Sequence, residues 1–162
     1  LGFPDEEYMT CEDGLPENHY YRDMRGYTLD CWEGLLADEA AVLAYEGELD
    51  EDDAYEVFGD NEVYRLDLDA EVALTVFALS IIGAAPVTCC SANHHPSHET
   101  HPLVLCWCSK EQAALMLEVA MKTGVSILGV SNPGILVCVE SVGEVEKMRK
   151  FAKALVKRYQ EA

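Results

Sequence analysis

The stretch VTCCSANHHPSHETHPLVLCWC, residues 87–108, holds four of the five histidines and four of the seven cysteines. His94, His95, His98 and His101 fall within one short run, with Cys90 ahead of it and Cys106 and Cys108 behind. Imidazole nitrogens bind zinc, copper, nickel or iron, and thiolates favour zinc. The pattern therefore points to a zinc or other transition-metal site, or to a small-ligand site, formed by Cys90, His94, His95, His98 and His101. Pro96 suits the first position of a helical turn and Pro102 discourages its continuation. In such a turn His98 and His101 stand at i and i+3, on one face. Cys106 or Cys108 is available to complete a four-ligand set, and Glu99 to act as a ligand or as a support behind one. The spacing is neither that of a zinc finger nor the H-E-x-x-H of a zinc protease. The bland alternatives are a solvated loop that happens to be His-rich and a proton-sensing cluster, since histidines titrate near neutrality. Cys106, Cys108 and Cys138 also suit plain burial, because free cysteine packs as a small hydrophobe.

A thiol reaction is a second chemistry. Cys90 or Cys89 would be the nucleophile, with His94 or His95 as base. A strongly acidic chain works against it by raising thiol pKa values. Phosphate-binding loops are absent, because GVSNPG lacks the lysine and following helix they need. No serine nucleophile elbow is present. The acid run DEDDAYEVF lacks the glycine and terminal glutamate of a calcium loop at the required offsets and reads as a solvated helix start.

The elements that must position the loop follow from periodicity. Residues 29–45 keep helical spacing through Trp32, Leu35, Leu36, Ala40 and Leu43, and Gly47 can stop that helix. Residues 1–27 show no period and are expected to lie as an arm on the domain. Ala70–Ile82 is apolar nearly all round, which predicts a central helix with Gly83 past its end. APVTCC and LVLCWC read as strands on either side of the His-rich loop. Ser109 with Gln112 makes a capping box for a helix that stops at Gly124. VSILGVS and GILVCVE are strands joined at Asn132-Pro133-Gly134, where a type II turn fits. Ser141 with Glu144 caps the last helix, whose buried face is expected at Val145, Met148, Phe151, Ala152, Leu155 and Tyr159. The sum is an α+β fold over residues 1–162 as a single domain. Its core spans 67–162, a mixed sheet with helices mainly on one face. Residues 1–66 add an acidic arm and helical layer.

The net charge is −19. Most acids lie before residue 72, where Arg22, Arg25 and Arg65 are the only bases, whereas the last helix carries Lys147, Arg149, Lys150, Lys153, Lys157 and Arg158. The acidic part is expected either to fold back over this basic helix or to offer a surface to a partner. Such a field repels nucleic-acid phosphates and anionic lipid and favours a basic protein partner, as in immunity proteins and enzyme inhibitors. No apolar run is long enough to span a membrane. An acidic, polar start and an odd count of thiols in apolar runs suggest reduced cysteines and a cytoplasmic protein. The residues leave open whether the protein is an enzyme and what its oligomeric state is.

The run from the apolar helix through APVTCCSAN resembles the wybutosine-biosynthesis proteins, over roughly residues 67–159. Thr88, Cys89, Cys90 and Ser91 fall under that family's threonine, serine, cysteine and serine. Ala92 stands in place of a glycine and Asn93 in place of a basic residue. The resemblance implies a shared fold and marks Cys90 and Ser91 as site candidates. The family's activity is methylation of a hypermodified guanosine in transfer RNA with S-adenosylmethionine, so an RNA-modifying enzyme is a third functional reading.

Overall fold

A computed structural model describes residues 29–44, 53, 56–57, 59–61, 63, 70–90, 102–129, 134–138 and 144–161. The fold is α+β. Helix α1 runs Leu29–Ala44 and α2 Ala70–Ile81; strands β1 (Ala85–Cys90) and β2 (Leu103–Trp107) follow. Then come α3 (Lys110–Thr123), β3 (Ser126–Gly129), β4 (Gly134–Cys138) and α4 (Val145–Glu161). The four strands lie in the order β1-β2-β4-β3.

Every neighbouring pair is antiparallel, which corrects the expectation of a mixed sheet. The crossover β2–α3–β3 does send β3 parallel to β2. However, β3 goes to the sheet edge, and β4 pairs back between the two. The result is two β-hairpin–helix units, β1β2α3 and β3β4α4, meeting where β2 pairs β4, with Leu105 opposite Leu136.

The inner face of the sheet is closed. Val104, Cys106, Ile135 and Val137 are buried, and the register sets Val104 against Val137 and Cys106 against Ile135. On the other face Leu105 and Trp107 are half-buried and Leu128 is exposed. Helices therefore cover mainly one face, although LVLCW is an unbroken apolar run, a pattern that by itself suits a strand covered on both faces.

Helix α2 is the centre of the core. Every residue from Val72 to Ile82 is buried, so an all-round apolar helix finds partners on all sides. Its two hydroxyls are satisfied without water. Thr75 donates to the Met148 carbonyl of α4 at 3.4 Å, and Ser80 to the Val76 carbonyl at 3.0 Å. Gly83, at φ 88°, closes the helix as a left-handed cap. Its N–H donates to Ser80 and that of Ala84 to Leu79, at 3.1 and 2.9 Å, the paired bonds of a Schellman ending.

Helix α4 buries Val145, Met148, Phe151, Ala152 and Leu155, and adds Val156; Tyr159 is half-buried. Helix α1 departs from its expected stripe. Trp32 and Leu35 enter the core, but Ala40 and Leu43 are exposed and Glu39 is buried instead. The inward stripe is Trp32, Leu35 and Glu39, with Val42 half-buried. A carboxylate is tolerated there because Arg149 of α4 reaches it. Asn61 ties in the chain beyond α1. Its amide donates to the Asp38 carbonyl at 2.8 Å, and its side-chain oxygen accepts from the Val63 N–H at 3.0 Å. The arm 1–27, the turn 131–133 and the Ser141 cap lie outside the described residues. No described helix is long and apolar enough to cross a membrane.

Candidate functional site

β1 and β2 are adjacent, and their ladder runs to the last residue, Cys90 opposite Leu103. Paired Cα atoms in such a ladder are about 5 Å apart. The His-rich segment is therefore held at both ends by one rung of the sheet. β1 is an edge strand. It carries Pro86, which cannot donate to a ladder and is accommodated at edges and bulges. The register indeed slips between Pro86 and Thr88. This bulge fixes which β1 residues meet which β2 residues as the loop is approached.

Of the expected site residues, Cys90 holds the terminal rung of β1. Ser91, His94, His95, His98, Glu99 and His101 lie outside the described residues. Cys106 and Cys108 are described, and they do not serve the loop. Both are fully buried in the hydrophobic core, and Cys106 pairs across the ladder with Pro86, well inside the hairpin. The strand ends at Trp107; Cys108, two residues on from Cys106, falls on the same face, and the two thiols meet there. The hydrogen bond that the Cys106 thiol donates to Cys108, and then burial, push the Cys106 thiol well above the ordinary range. A thiol held neutral is a poor metal ligand. Of the expected donors, the four imidazoles and Cys90 remain for the loop. Among the described residues no group of three histidines, cysteines or acids could hold a metal.

Two other features concentrate polar groups. In the first, Glu39 Oε1 accepts from Arg149 Nε at 2.9 Å, and Arg149 Nη1 also donates to Glu146. Glu39 Oε2 is buried with no hydrogen-bond partner among the described residues. Burial raises the Glu39 carboxyl to about 7; Arg149 pulls it down, and Glu146 and Glu71 push it up. Burial also opposes the charge on Arg149, but its two carboxylates outweigh this and hold its pKa above normal. Glu39 is thus the partner that titrates first. Its signal in the sequence was an acid on an otherwise apolar helical stripe.

The second feature is a groove of about 450 Å³ where α3 meets α4. It is lined by Ile82, Gln112, Leu115, Glu118, Arg158 and Tyr159, among others. Arg158 Nε lies 3.3 Å from Glu118 Oε1 across it. Residues so far apart in the chain gave no motif to find it by.

Compared with known protein families, characterised proteins and solved structures, the chain matches none.

Proposed function

We propose that the protein binds a transition metal, zinc foremost, through the loop joining β1 and β2, with His94, His95, His98, His101 and Cys90 as the donor set. The observation that carries this reading is the terminal rung Cys90–Leu103. A loop tied at both ends by a sheet edge has already met much of its closure entropy, so clustering several imidazoles costs less than in a free chain. Retention of a water on the metal would permit hydrolysis by an activated water, whereas four protein ligands would make the site structural. The exclusion of Cys106 and Cys108 favours a histidine-dominated set. Their burial as thiols suits a reducing compartment, and the cytoplasm is the location this reading takes.

The test is metal analysis and calorimetric zinc titration of protein purified without a histidine tag. Stoichiometric uptake is expected, lost in the double variant His98→Ala, His101→Ala and weakened about tenfold or more in Cys90→Ala. Cys106→Ala should leave uptake unchanged. Metal-free protein that takes up no zinc ends the proposal.

A second reading, a module for a basic partner, is favoured by a specific surface. Asp38, Glu56 and Asp60 line a groove of about 580 Å³ beside α1, with the exposed Val57 at its rim. Carboxylates around an apolar spot suit a lysine or arginine side chain and its stem. A pull-down that weakens as salt rises, and fails with Asp38→Asn plus Asp60→Asn, is the expected result.

A further inference from the structure

We propose that the last two turns of α1, residues 37–44, form a latch that is shut on α4 while Glu39 is protonated and opens as Glu39 ionises. The two halves of this helix are fastened differently. Trp32 and Leu35 pin the first half into the core. Beyond Leu35, Glu39 is the one fully buried residue up to Ala44, at 4% exposure. Asp38 and Val42 are half-buried, and Ala40, Ala41, Leu43 and Ala44 are exposed. An apolar side chain at position 39 would fasten these turns at any pH. A carboxyl fastens them only in the protonation state that its surroundings favour.

The surroundings favour the neutral form. Arg149 and Glu146 of α4 and Glu71 of α2 face Glu39. Arg149 Nε reaches Oε1 at 2.9 Å, but Arg149 also donates to Glu146, so two acids share its charge. Oε2 has no hydrogen-bond partner among the described residues. An ionised carboxylate here therefore keeps one oxygen bonded and one dry, and a buried charged oxygen left unmet is costly. Water meets it once the turns lift. A carboxyl raised to about 7, with burial outweighing Arg149, agrees with this geometry. The other tie, from the Asn61 amide to the Asp38 carbonyl at 2.8 Å, is neutral and does not answer to pH. The same turns carry Asp38 and Ala41, which wall the acidic groove beside α1. That groove is complete only while the latch is shut. An effect on a basic partner rests on the second reading above, whereas the latch itself does not.

Amide exchange of the full chain, read by mass spectrometry peptide by peptide between pH 5 and pH 8, tests this. With the chemical pH dependence of exchange divided out, opening of residues 39–44 should grow about fiftyfold over that range. The amides of α2 should exchange more slowly than these at every pH, because they open only with the whole fold. Glu39→Gln and Glu39→Leu carry no charge, and each should hold the opening constant across the range. Equal protection of residues 39–44 and α2 overturns the proposal, since the turns would then leave only with the rest of the molecule. An opening that is flat with pH in the unaltered chain, or that still climbs in either variant, overturns it too.

Discussion

Position 39 places a carboxylate on the stripe by which α1 meets the core, and the consequence is a pH dependence with a defined sign. Burial lifts its carboxyl from 4.5 to about 7. Between those values the folded protein holds a proton that the unfolded chain releases. Stability should therefore fall as pH rises from 4.5 to about 7, by on the order of 2–3 kcal/mol, and level off beyond. Glu39→Gln, neutral throughout, should remove that slope, as read from urea midpoints measured across the window. Cys106 offers a second test at this scale. Its thiol is buried against Cys108, so Cys106→Ser should cost about 1–3 kcal/mol by burying a stronger dipole. Burial of this thiol could be anticipated from its apolar run. That it meets the Cys108 thiol follows from the pleat as well, which sets residues two apart on one face.

Local rules account for most elements. Ser109 accepts from the Gln112 N–H at 3.2 Å while the Gln112 side chain accepts from the Ser109 N–H at 2.8 Å. The reciprocal box was legible as Ser-x-x-Gln ahead of an apolar run. Its tertiary role was not legible: the Gln112 amide also donates to the Ile82 carbonyl at 3.1 Å, joining the start of α3 to the end of α2. Ser109→Ala should cost about 1 kcal/mol. Gln112→Ala should cost at least as much, since it opens both contacts, and chemical denaturation compares the two. At the other end of α3 Gly124 sits at φ 81° and its N–H donates to Ala120 at 3.0 Å. An added Cβ would meet only the Lys147 side chain, at 3.5 Å. Gly124→Ala should thus lose about 1 kcal/mol through backbone conformation rather than clash.

For the whole molecule, unbalanced charge matters most. Arg149 and Glu39 join the basic helix α4 to α1, and Thr75 joins α4 to α2. Apart from such contacts, a net charge of −19 works against compaction. Raising salt from about 0.01 M to about 0.5 M shortens the screening length several-fold. The thermal midpoint should rise by several degrees over that range in scanning calorimetry. A midpoint that falls with salt would show that surface ion pairs outweigh the repulsion.

The chain by itself determined what depends on neighbours a few residues apart: the helices with their glycine ends, the strands, the Ser109 box, and the concentration of histidines between β1 and β2. These follow from caps, periods of 3.6 and 2, and turn chemistry, all short-ranged. Tertiary structure alone decided what depends on distant residues. It inserted β4 between β2 and β3, so the sheet became wholly antiparallel. It turned Glu39 inward because Arg149 lies across from it, and it joined the start of α3 to the end of α2 through Gln112. No local pattern encodes these, because each is settled by which surfaces remain to be buried once the other elements have packed.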